Sequence, residues 1–291
     1  MKHLKNNQLL LFVFLFFYSA LFSQDKRKVD SLQQVVSTGQ DTAKATALHQ
    51  LSKCYLDQDN KLAKQFAQRS IALAQKIGFK RGIADASNDL GNIYEGIGNH
   101  DSALLMFINS LRYFREINDQ KRIAAVTYNI GSYYDDLGEF RKALIFFYQA
   151  YKMDEESGDS IGIAFDLNVL GSNYFQLGNF PLAMDYYQKA LKVSTSRNNK
   201  SQMAINMNNV GLVYNALKKF DLALGYYKQS LKLHEEVGDK MDIGLAYGSM
   251  GTFYAENKKF SEAIVYLTKE KKMMEELNSP YDLSIALLNL H

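Results

Sequence analysis

The chain has no tryptophan, one cysteine and two prolines among 291 residues, and its longest apolar run, Leu9 to Phe22, is fourteen residues. A lone Cys54 excludes an intramolecular disulfide, and its mid-helix position reads as a small buried residue. Pro181 and Pro280 both stand at expected helix starts, where a missing N–H is harmless, so the scarcity of proline suits long helices. Fourteen apolar residues fall short of the ~20 that a spanning helix needs. Charge of one sign is also lacking: 34 Lys and Arg against 31 Asp and Glu leave +3, and without residues 1–23 only +1. That balance excludes nucleic acid or an anionic membrane surface as the main partner. His49, His100, His234 and His291 show no ligand spacing, which excludes a zinc site. No P-loop, nucleophile elbow or dinucleotide turn occurs, so the chain is expected to be no enzyme and to need no cofactor or metal.

What is present begins with a leader. Lys2, His3 and Lys5 precede the apolar run, and small residues Ser19, Ala20 and Ser23 follow its centre. This pattern predicts a signal peptide over residues 1–23, cleaved after Ser23, with an uncleaved anchor as the alternative. Either way the rest is expected to be exported, to a periplasmic or periplasm-facing place. No cysteine near the cleavage point argues for a lipid anchor.

The dominant feature is a period of forty residues. Gly91, Gly131, Gly171, Gly211 and Gly251 stand in register, as do Tyr94, Tyr134, Tyr174, Tyr214 and Tyr254. Ala63, Ala103, Ala143, Ala183, Ala223 and Ala263 add a sixth copy. Fixed periods of roughly 20–50 residues mark repeat architectures, in which each unit buries its apolar face only on its neighbours. Within each unit two stretches have helical apolar spacing, of about fifteen and then about seventeen residues, and no alternating strand pattern competes. Asn118-Asp119, Gly158-Asp159, Asn198-Asn199, Gly238-Asp239 and Asn278-Ser279 close the units, where Asn or Gly can take a left-handed conformation. The mid-helix glycines each cost about 1 kcal/mol against Ala, and close approach of a neighbouring backbone is the expected reason. Lys269 to Glu276 (KEKKMMEE) reads as a solvated helix face.

The organisation expected is therefore a capping helix over 24–40 and six repeats at 41–79, 80–119, 120–159, 160–199, 200–239 and 240–279. Residues 280–291 open a seventh. The first repeat has one residue fewer, placed by register in its inner turn. A chain stopping inside an apolar half-repeat is expected to be a fragment of a longer protein.

Ile130-Gly131, Tyr134, Ala143, Phe147 and Ala150, with Leu170-Gly171, Tyr174, Ala183, Tyr187 and Ala190, resemble the tetratricopeptide repeat. The resemblance spans about residues 41–291. It departs from that family in its period, forty rather than thirty-four, placed mainly in a longer second helix, and in lacking the early Trp and the late Pro. It implies an all-α fold, an α-solenoid of stacked helix-turn-helix repeats forming a superhelix, whose first helices line a concave binding face. The positions carried over to that face include Asn88, Asn92, Tyr128, Ser132, Asn168, Ser172, Phe175, Asn208, Leu212 and Asn215, with Leu245, Gly248, Thr252 and Ala255 in the last full repeat.

Asn88, Asn168 and Asn208 recur at multiples of forty, and carboxamides that both donate and accept suit the backbone of an extended peptide. The alternative is that the row merely solvates the face. No Lys or Arg stands there to clamp a terminal carboxylate, which argues against binding of chaperone tails. The expected function is an exported scaffold for a protein or extended peptide. The alternative is the sensory region of a membrane-bound signalling protein, a histidine kinase or transcriptional regulator, whose output domain lies beyond residue 291. The opening QDKRKVDSLQQVV resembles exported sensor regions of Bacteroidetes-type signalling proteins. Membrane contact is expected only through an uncleaved leader or a C-terminal span, and self-association through the apolar end of the seventh repeat is a further expectation.

Overall fold

The computed structural model describes residues 26–56, 58–277, 279, 283 and 284. The leader read over residues 1–23, Pro280 and nearly all of the seventh repeat lie outside them. Among the described residues there is helix and turn and no strand. Residues 26–38 form α1. It is followed by α2 (Asp41–Tyr55), α3 (Asn60–Lys76), α4 (Lys80–Gly96), α5 (His100–Glu116), α6 (Gln120–Asp136) and α7 (Phe140–Ser157). Then come α8 (Ser160–Gln176), α9 (Phe180–Ser196), α10 (Lys200–Ala216), α11 (Phe220–Val237), α12 (Lys240–Glu256) and α13 (Phe260–Leu277). The chain forms two compact units, Met1–Tyr133 and Tyr134–His291, divided within α6.

In the first unit α2 packs on α3, α3 on α4, α4 on α5, and α2 also touches α4. Val29, Leu32 and Val36 of α1 cover Leu48, Leu51 and Phe66. In the second unit each helix from α7 to α13 packs on the next, and α8, α10 and α12 meet as successive first helices. Both units are thus all-α solenoid stacks of helix hairpins.

Beyond the first repeat, the two helices of a hairpin differ by at most one residue. α4 and α12 have 17 residues, as α5 does, and α13 has 18. The extra length is shared rather than carried mainly by the second helix. Apolar spacing misses it where the opening turn of the first helix is polar, as at Lys80-Arg81 and Gln120-Lys121. The closing dipeptides explain how such turns persist. At the four whose first residue is described it is left-handed, at φ 56° for Asn118, 71° for Gly158, 52° for Asn198 and 83° for Gly238. Their second caps the next helix, as where Asp159 accepts from the N–H groups of Ile161 and Gly162. In the first repeat the missing residue is lost from helix rather than turn: α2 has 15 residues, and four residues separate it from α3.

Gly91, Gly171 and Gly211 make room for rings rather than for a backbone, whereas a Cβ on Gly251 would meet the Leu267 side chain and, at 3.2 Å, the Leu267 backbone nitrogen. A Cβ on Gly91 would lie 2.5 Å from Phe107 Cε1, and one on Gly171 2.7 Å from Tyr187. Phe107 is fully buried and Tyr187 nearly so. One turn on, the register tyrosines stack face to face on the second helix. Tyr174 meets Tyr186 at 5.4 Å between centroids, Tyr214 meets Tyr226 at 5.5 Å, and Tyr254 meets Tyr266 at 5.5 Å. Such pairs add about 0.5–1.5 kcal/mol beyond their burial.

Two turns break the pattern. Gly98, Gly138 and Gly178 occupy the left-handed residue between paired helices, whereas Lys218 and Lys258 do so at φ 59°. A side chain there costs roughly 1–2 kcal/mol that glycine avoids. Lys218→Gly and Lys258→Gly are each expected to stabilise by about 1 kcal/mol, as a higher urea midpoint at unchanged slope. A lower midpoint in both would show that the lysine side chains hold these turns.

Candidate partner-binding surface

The expected binding residues all stand on first helices, and several bond from one repeat to the next. In the first unit Asn129 Nδ2 donates to Asn88 Oδ1 at 2.8 Å, and His49 Nε2 lies 2.7 Å from Asp89 Oδ2. Burial pushes the Asp89 carboxyl up, but the hydrogen bond and charge of His49, with Lys53, outweigh it and leave it lowered. Asn92 is exposed, while Tyr128 and Ser132 of α6 are half-buried.

In the second unit Asn168 Nδ2 donates to Asn206 Oδ1 at 2.7 Å, and Asn206 is fully buried. Asn173 donates to Asp135 at 2.9 Å. Asn208 and Ser172 are half-buried, and Ser172 meets the hydroxyl of Tyr187. Phe175 packs against Phe180 at the start of α9, with 5.5 Å between centroids. The Asn row is therefore partly occupied in holding successive first helices together.

The structure brings Leu212 and Asn215 of α10 together with Leu245, Gly248 and Thr252 of α12. They line one cavity of about 270 Å3, which Ser249, Phe253, Glu256, Tyr227 and Glu270 complete. At its rim Asn215 Nδ2 donates to Glu256 Oε2 at 2.6 Å. Glu270 forms its floor and is only 3% exposed. This corrects the reading of KEKKMMEE as a wholly solvated face, since Glu270 and Met274 both point inward. Charge alone hid Glu270. The forty-residue register carried the signal, because its counterparts Ser110, Ala150, Ala190 and Ser230 are small residues of the kind a hairpin interior takes. Gly248 explains how the carboxylate is accommodated: a Cβ there would lie 2.7 Å from Glu270 Cδ. Asn88, Tyr128, Asn168 and Asn208 fill that position in the second to fifth repeats.

The seam between repeats is also polar in the second unit. Asp166, 2% exposed, stands where Ala86 and Val126 stand in register, and its Oδ2 has no hydrogen-bond partner. Burial, then the charges of Asp154 and Asp159, push its carboxyl up to about 8. One repeat on, Asn206 donates to Ser194 Oγ at 3.2 Å. Next, His234 Nδ1 lies 3.6 Å from Asp242 Oδ2, and burial lowers the His234 pKa despite Asp242 and Asp239. Sequence reading placed none of these inside, because Asp, Asn and His read as solvent-facing although the same register positions hold Ala86, Val126, Phe114 and Met274 elsewhere.

Cys54 is half-buried rather than buried. Among the described residues no group of three or more His, Cys, Asp or Glu is placed to hold a metal ion, and no helix is long and apolar enough to cross a membrane.

Comparison with known proteins agrees with this geometry. A family model described as tetratricopeptide repeat matches residues 82–156 and 201–289, and a second of the same description matches 167–196. No curated protein matches the chain in sequence. Among solved structures, the chain is similar to PH0952 from Pyrococcus horikoshii, a STAND signal-transduction ATPase with a tetratricopeptide repeat sensor. The identity is 16%, the TM-score 0.74, and the match covers 92% of this chain and 42% of that one. It is also similar to the apo form of RapI (16% identity, TM-score 0.70, 91% of this chain and 98% of that one). A Rap protein complexed with competence and sporulation factor matches at 14% identity and TM-score 0.64, over 90% of this chain and 78% of that one.

Proposed function

Because the chain belongs to the tetratricopeptide repeat family, we propose that it is an exported scaffold that binds a protein or an extended peptide along its first helices. The observation that carries this reading is the cavity on α10 and α12. It joins polar groups (Asn215, Thr252, Glu256) to apolar walls (Leu212, Leu245) on the face where the family resemblance put partner contacts. A mixed lining of this kind suits a polypeptide, whose backbone needs hydrogen bonds and whose side chains need apolar area. The likeness to a Rap protein complexed with competence and sporulation factor supports it.

Photo-crosslinking tests the reading. A benzophenone side chain at Leu212 or Phe175 is expected to capture a polypeptide from the native envelope fraction, and one at exposed Lys192 or Lys228 of the second helices is not. Asn168→Ala with Asn208→Ala, folding checked by circular dichroism, is expected to weaken capture about tenfold, or ~1.4 kcal/mol. Equal capture from both helix faces, or unchanged capture by the double variant, would sink the groove.

Export rests on the leader pattern, and an N-terminus at Gln24 in protein recovered from the envelope would support it. A second reading, the sensory region of a larger signalling protein, draws on the likeness to PH0952, of which this chain spans 42%. A stop codon directly after codon 291 would remove it.

A further inference from the structure

We propose that the cavity between α10 and α12 is an anchor for one cationic side chain, a lysine or arginine, in the extended segment of a bound protein. The inference rests on the partner-binding reading and adds the chemistry of what is bound. Size sets the scale. About 270 Å3 is below the roughly 300–1,000 Å3 of sites that enclose whole small molecules. It has room for about nine waters at ~30 Å3 each, and so for one long side chain.

Charge sets the sign. No lysine, arginine or histidine lines the cavity, while Glu270 forms its floor and Glu256 its rim. A carboxylate withdrawn from water, as Glu270 is, gains more from a cation than one in solvent does, because the surrounding dielectric is low. Burial first, and then the charge of Glu256, pushes the neighbouring Tyr227 hydroxyl up.

Shape makes the floor reachable. Had the Asn of Asn168 or Asn208 stood at Gly248, its Cβ would have displaced the Glu270 carboxylate. Gly248 therefore lets a carboxylate rise into the position that a carboxamide fills in other repeats. Leu212 and Leu245 flank it and suit the methylenes of a lysine or arginine stem, whose charged head reaches a polar end.

The test uses fluorescein-labelled peptides of sequence Gly-Ser-Leu-Xaa-Leu-Ser-Gly, with Xaa as Lys, Arg, Gln or Glu, titrated with the purified protein by fluorescence anisotropy. The Lys and Arg peptides are expected to bind at least about tenfold tighter than the Gln peptide, with Glu weakest and the preference falling at high salt. Glu270→Gln and Gly248→Asn are each expected to abolish the preference. Glu256→Gln, at the exposed rim, is expected to reduce it and keeps the test open where a core variant fails to fold. Equal affinity for the Lys and Gln peptides, a preference that survives Glu270→Gln, or no binding of the Lys peptide up to about 1 mM overturns the anchor. Equal binding of all four peptides, weakened by the Asn168→Ala, Asn208→Ala double variant, overturns the anchor and leaves the groove standing. Loss of photo-capture at Leu212 tests the groove separately.

Discussion

Replacing Phe107 by alanine is expected to destabilise the α4–α5 hairpin by about 3–5 kcal/mol, the usual cost of deleting a large buried ring. Phe107 is fully buried and sits in the notch that Gly91 leaves in α4. Deleting it removes the ring and empties the notch at Gly91. Its register counterparts Tyr187 and Tyr227 pack on Val210 and Val213, and on Met250 and Phe253, of the next first helix, so the effect should reach the following repeat. Amide hydrogen exchange along α4 to α6 reads this directly, since repeat proteins open locally and a single unfolding midpoint averages over units. Protection retained in α4 and α5 would refute the notch as the hairpin's main contact.

The partner residue gives the sharper form of the same prediction. Gly91→Ala alone should destabilise. Helix propensity favours it by about 1 kcal/mol, but its Cβ would stand 2.5–2.6 Å from two ring atoms of Phe107. Overpacking of a ring without room to move costs about 1–3 kcal/mol. In the Phe107→Ala background the ring is gone, so only propensity remains and Gly91→Ala should stabilise. The sign reversal is the result to look for, and additive effects of the two substitutions would contradict it.

This glycine–ring pairing also marks how far the sequence could be read. The fold was legible, because a forty-residue register of Gly, Tyr and Ala, repeated five or six times, leaves no other architecture that buries those positions. Spacing places the glycines in the right helices and points to backbone approach, but at Gly91, Gly171 and Gly211 the room is taken by a ring. Sequence spacing gives which residues share a face, not how far a ring reaches across it. The stacked pairs Tyr174–Tyr186 and Tyr214–Tyr226 went unseen for the same reason.

The candidate site was legible in part. Leu212 and Asn215 followed from a family face, and the structure sets both in a cavity. Glu270 did not follow, because its neighbours Lys269, Lys271 and Lys272 make the segment read as solvated. Local composition and register disagree there, and register is the better guide. A position that holds Ser or Ala in five repeats (Ser70, Ser110, Ala150, Ala190, Ser230) is interior whatever residue occupies it in the sixth.

Asp166 stands at another register position that is interior throughout, and it leads to the largest pH effect expected of this protein. Its register counterparts are Ala86, Val126, Asn206 and Ala246, and it is 2% exposed with Asp154 and Asp159 as its charged neighbours. Burial, then those two charges, raise its pKa in the folded chain to about 8, from 3.8. Below about pH 4 the carboxyl is protonated in both folded and unfolded chains and costs nothing. Between about 4 and 8 the unfolded chain ionises while the folded chain keeps the proton, so stability falls as pH rises, by about 1.4 kcal/mol per pH unit for one group. Above about 8 both forms are ionised and the loss levels off. Asp166→Asn places in this repeat the residue that Asn206 supplies to the next, with nearly the same volume and no charge. It is expected to stabilise the protein at pH 7 by several kcal/mol and to make no difference below pH 4. Urea midpoints of both proteins across pH 4 to 9 measure this. Because Asp166 lies at the seam of α7 with α8, exchange protection in those two helices should rise first in the variant. A pH-independent gain would mean that the substitution acts through packing, and no gain at pH 7 would mean that the carboxyl is not held protonated in the folded chain.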